Sequence, residues 1–105
     1  MSVIDNLEAL LAKGQDTAML RLGLGNAYMG RGDYAKAVEH LHRAISLDAG
    51  YSAAWKAYAK ALGECGRHDE AIAAYESGIA AAEDKGDRQA AKEMGVFLKR
   101  LKKGQ

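Results

Sequence analysis

Shifted against itself by 34 residues, the chain places Gly32 on Gly66, Ala37 on Ala71, Val38 on Ile72, Ile45 on Ile79, Ala27 on Ala61 and Leu41 on Tyr75. A fixed spacing of this kind restricts the fold more than any single motif, because it requires one structural unit that repeats and stacks on itself. Each of the two glycines falls between stretches of helical apolar spacing, where a left-handed turn ends one helix and starts the next. The small residues fall where two helices must approach closely. The period therefore describes a helical hairpin. Proline is absent and β-branched residues are few, a mixture that favours helices and removes their strongest internal breaker, so no sheet is expected.

A lone hairpin cannot bury its apolar face, and stacks need about three repeats with atypical ends. Both ends are visible. Val3, Ile4, Leu7, Leu10 and Leu11 follow the spacing of one helix face, with Ser2 as its N-cap and Gly14 as its stop. Ala90, Ala91, Met94, Phe97, Leu98 and Leu101 repeat that spacing behind an Asp87 cap. The expectation is one all-α domain, residues 1–105: an N-terminal helix in 1–17, one repeat over 18–51, a second over 52–85, and a C-terminal capping helix in 86–105. Six helices are placed near 2–13, 17–31, 33–47, 52–65, 68–83 and 87–102.

In residues 52–85 the first helix carries Trp55, Tyr58, Ala59 and Leu62, the turn Gly66, and the second helix Ala71, Tyr75 and Gly78. In 18–51 the same places hold Arg21, Leu24, Gly25, Tyr28, Gly32, Ala37, Leu41 and Ala44. This pattern resembles the tetratricopeptide repeat family, whose signature runs W-x2-L-G-x2-Y, A-x3-F, P. Arg21 stands in the tryptophan place, and Ala49 and Glu83 replace the terminal proline. The resemblance implies a short right-handed α-solenoid of about six antiparallel helices. It also implies a non-enzymatic scaffold that binds a peptide or protein segment on the concave face. By the same resemblance, the first helix of each repeat lines that face through Met19, Leu22, Asn26, Met29 and Gly30, then Ala53, Lys56, Lys60, Gly63 and Glu64. Met adapts to irregular shapes and Lys reaches acidic groups, so an amphipathic peptide with an acid at one end would fit. Met19, Leu22 and Met29 also suit a core covered by the N-terminal helix, and Lys56, Lys60 and Glu64 suit a solvated face with i,i+4 pairing. One subclass of the family clamps a chaperone's terminal carboxylate through two Asn and three basic residues. Of the corresponding Leu22, Asn26, Ala57, Asp87 and Ala91, only Asn26 matches.

Fifteen Lys and Arg against fourteen Asp and Glu give a formal charge of +1, which points to no nucleic acid and no membrane surface as partner. No phosphate loop occurs, and no cofactor or metal is expected. His40 and His42, two apart on a helix, point about 200° from each other and are read as surface residues. Cys65 and His68 flank the Gly66 turn without an orienting third group, which favours a small filler over a nucleophile. Lys99, Arg100, Lys102 and Lys103 offset the dipole of the last helix. A single cysteine and a non-basic N-terminus point to a reducing cytoplasm. The competing functional expectation is a homodimer formed through the apolar stretch at Met19, Leu22 and Met29 or through the final helix.

Overall fold

The sequence signals for helix ends act where the spacing places them. The computed structural model describes residues 2–104, and its helices are α1 (Val3–Ala12), α2 (Ala18–Gly30), α3 (Tyr34–Leu47), α4 (Ser52–Glu64), α5 (His68–Lys85) and α6 (Arg88–Lys103). No strand occurs among the described residues. Ser2 and Asp5 form a reciprocal capping box at α1. Thr17 accepts from the Leu20 N–H at 3.1 Å, and Asp87 accepts from the Ala90 N–H at 3.2 Å. Caps of this kind are worth about 1 kcal/mol each. Gly32 and Gly66 take φ of +77° and +76° at the two equivalent hairpin turns, a conformation that costs side-chain-bearing residues energy.

Consecutive helices pack antiparallel, α2 on α3 and α4 on α5, and each hairpin stacks on the next through α3 against α4 and α5 against α6. Helix α2 also touches α4, and α4 touches α6, whereas no Cα of α3 lies within 8 Å of α5. The layer α2–α4–α6 is thus drawn together while α1, α3 and α5 splay apart, which curves the stack toward α2, α4 and α6. The core runs through both layers and includes the fully buried Leu24, Leu41, Leu62 and Met94. Truncating such a leucine to alanine costs about 2–5 kcal/mol.

Two glycines set how closely the helices lie. A Cβ on Gly25 would stand 2.4 Å from Leu41 Cγ, and one on Gly78 would stand 2.8 Å from Trp55 Cβ and 2.7 Å from Met94 Sδ. Gly78 therefore lets α4 and α6 meet the same point of α5.

Arg21 fills the tryptophan place with an ion cluster. Its guanidinium grips Asp16 at 2.7 and 3.1 Å and reaches His40 Nδ1 at 3.0 Å, and Arg43 joins Asp16 at 3.1 Å. The Arg21 bond, followed by that from Arg43, pulls the Asp16 carboxyl down to about 2 against the opposing effect of desolvation. His40 is not the surface residue its spacing suggests. It stacks on Tyr28 with ring centroids 5.4 Å apart, and burial holds its imidazole below the ordinary value. At neutral pH its 3.5 Å contact with Glu8 is accordingly not an ion pair. Glu8 also accepts from the Tyr28 hydroxyl at 3.1 Å, fastening α1 to α2.

The expected end of α5 at residue 83 is corrected to Lys85. The helix runs past Glu83 until Gly86, at φ +79°, turns the chain, whereas α3 ends at Leu47 although Ala49 also stands in a proline place. Consequently α6 starts 36 residues after α4, two more than the repeat length.

Gly25→Ala and Gly78→Ala are each expected to destabilise the protein by about 1–2 kcal/mol, since overpacking outweighs the gain in helix propensity of about 1 kcal/mol. Gly95→Ala, with nothing within 4 Å of the added methyl, should stabilise by up to about 1 kcal/mol. Urea denaturation followed by circular dichroism measures all three.

Candidate functional site

The residues expected on the concave side lie on α2 and α4. On α2, Met19 is 74% exposed and Asn26 is also open to solvent. Leu22 and Met29 are half-buried and pack against the core, so they floor this end of the surface. Helix α1 meets α2 at Gly23, with Leu7 3.5 Å from its Cβ position, and at Tyr28, whose hydroxyl donates to Glu8.

The α4 residues face α6 in two different ways. At the N-terminal ends the two helices are tied together. The Ser52 hydroxyl donates to Asp87 at 2.8 Å, and Lys56 pairs with Glu93, which Gln89 also contacts at 3.2 Å. The Lys56 bond, reinforced by Gln89, holds the Glu93 carboxyl below its usual range. Lys56 is thus already engaged by an acid of its own chain. Toward the C-terminal ends the helices part, and Lys60, Gly63 and Glu64 border a cleft of about 310 Å³ with Tyr75, Phe97, Arg100 and Leu101. Its floor is the stacked pair Tyr75 and Phe97, with centroids 6.0 Å apart. Lys60 and Glu64, one turn apart, form no ion pair among the described residues.

Helix α6 contributes a face that the 34-residue period conceals. The two-residue advance of α6 brings Ala90, Met94, Phe97, Leu98 and Leu101 to the places of Ala54, Tyr58, Ala61, Leu62 and Cys65 in α4, all buried or half-buried. The outward places are then Gln89, Lys92, Val96, Lys99 and Arg100, all exposed. The spacing of the α6 apolar residues carried this signal, since they align with the apolar face of α4 at a shift of 36, not 34. The clamp places on α6 move by the same amount, from Asp87 and Ala91 to Gln89 and Glu93.

No group of three or more His, Cys, Asp or Glu among the described residues is placed to hold a metal ion. Cys65 is half-buried and His68 exposed, with no hydrogen bond between them among the described residues. No helix of the described residues is long and apolar enough to cross a membrane.

The family model for the tetratricopeptide repeat matches residues 28–94. The chain is 48% identical over 99 residues to the TPR repeat-containing protein PA0015 of Pseudomonas aeruginosa, covering 94% of each. The solution structure of protein BPP2914 from Bordetella parapertussis is 41% identical with a TM-score of 0.86, over 99% of this chain and 90% of that one. The second TPR domain of human RPAP3, solved with an HSP70 peptide, has a TM-score of 0.67 at 23% identity, over 93% of this chain and 90% of that domain.

Because Glu93 is held low by Lys56, the pair contributes stability above the ordinary carboxylate range and loses it as pH falls through the folded-state value. Lys56→Met should raise the Glu93 value toward 4.5 in a carboxyl-detected NMR titration, while Lys60→Met leaves it unchanged.

Proposed function

The chain belongs to the tetratricopeptide repeat family, and from that footing we propose that it is a non-enzymatic scaffold holding a peptide or protein segment against α2, α4 and α6. The observation that carries this reading is the cleft between α4 and α6. Its aromatic floor and its rim of Lys60, Glu64 and Arg100 combine apolar burial with a few orienting charges, the make-up of a recognition site. Met19, Leu22, Asn26 and Met29 extend the surface along α2, and an adaptable methionine at its open end suits a partner of irregular shape.

The peptide held by the RPAP3 domain supports a peptide as the class of ligand. A carboxylate clamp of the chaperone-binding kind is disfavoured, because Glu93 stands where a base is needed. A homodimer through the same surface is the competing reading, favoured by the exposed Met19 and Val96. It requires a mass that rises with concentration in sedimentation velocity.

Met19→Glu with Lys60→Glu should remove the partner recovered by the unmodified protein and weaken its binding, titrated with purified partner, by at least about tenfold. Glu39→Lys, on the outer helix α3, should leave it intact. Loss with the outer variant and retention with the inner pair, both folded by circular dichroism, would overturn the proposal.

A further inference from the structure

Resting on that reading of the inner face, we infer that its docking centre is the C-terminal half of α6 beside the α4–α6 cleft. Its partner is an acidic protein segment that inserts one bulky apolar side chain. Val96, 45% exposed, sits with Lys99, Arg100 and Lys103 around a second hollow of about 220 Å³. Arg100 borders both this hollow and the cleft floored by Tyr75 and Phe97, so the two form one continuous surface.

The charges here lack acidic partners among the described residues, and the Arg100 guanidinium lies over the Phe97 ring at 5.9 Å from its centroid. Lys102, three residues beyond Lys99, reaches Glu76 at 3.5 Å, and Lys56 is taken by Glu93. Lys60, Lys99, Arg100 and Lys103 have no acidic partner among the described residues. The helix dipole accounts for positive charge in a last turn. It does not account for the exposed valine one turn earlier, nor for the like-charge spacing of Lys99 and Lys103, which weakens a helix slightly. An acidic segment satisfies both features, its carboxylates meeting the cations while its apolar side chain fills the aromatic cleft. Glu64 on the opposite rim and the Lys56–Glu93 pair interrupt any continuous positive track, which disfavours a nucleic acid. The apolar face of α6 is turned inward, with Met94 fully buried, which leaves too little for a membrane surface.

The test is an amide-shift titration of the full chain with a short synthetic peptide of glutamates around one central leucine. Vesicles of phosphatidylcholine with phosphatidylserine and an oligothymidylate are run in parallel. The peptide is expected to move Gly63, Val96 and Arg100. Its affinity should fall about tenfold in Lys99→Glu with Lys103→Glu, fall with added salt, and weaken severalfold when its leucine is replaced by alanine. Tighter binding of vesicles or oligonucleotide, indifference to the charge reversal, or no shift with the peptide would each overturn the inference. Shifts confined to Met19 and Asn26 would overturn it while sparing the reading of the inner face. Shifts on α1, α3 and α5 would defeat both.

Discussion

The close approach at Gly78 is the constraint on which the rest of the arrangement depends. Without a side chain there, the α5 backbone accepts Trp55 from α4 and Met94 from α6 at one point, and α6 can lie beside α4. That neighbourhood makes possible the Ser52–Asp87 and Lys56–Glu93 contacts at the N-terminal ends. It also leaves the cleft at the C-terminal ends, where Gly63 and Glu64 face Arg100 and Leu101. The same device acts within the first hairpin, where Gly25 admits Leu41. Stacking of this kind gives each hairpin a partner for an apolar face it cannot bury alone.

The ends of α5 then decide which residues of α6 look outward. Helix α5 is 18 residues long against 14 for α3, while the connection that follows it shrinks to Gly86 and Asp87. The net advance of two residues rotates α6 so that Met94 is buried and Val96, Lys99 and Arg100 are exposed. Had the 34-residue period continued, Met94 would have taken the exposed place of Lys60 and Val96 the buried place of Leu62. The stop of α5 at Gly86 thus sets which residues of α6 reach the inner face.

Much of the architecture was legible because it rests on local rules. The repeat fixed the hairpins, and the Ser2 and Asp87 caps and the Gly32 and Gly66 turns lie where apolar spacing placed them. What escaped were contacts between elements distant in sequence. Nothing near Lys56 announces Glu93, 37 positions away, and the loss of tryptophan at Arg21 does not disclose that Asp16 and Arg43 compensate it. His40 was read from the wide angle separating it from His42, which says nothing about Tyr28 stacking over it. The α6 face was in principle visible. Its apolar residues carry their own phase, and the assumption of a constant period hid it.

The most direct measurement is a nuclear Overhauser spectrum of the methyl-labelled protein, read at the Gly78 α-protons. The account predicts cross-peaks from these protons to both the Met94 methyl group and the Trp55 β-protons, which places α4 and α6 together on α5. A Met94 methyl that shows no contact with Gly78 or α4 would contradict it, because α6 would then lie away from the inner layer and the cleft would not exist.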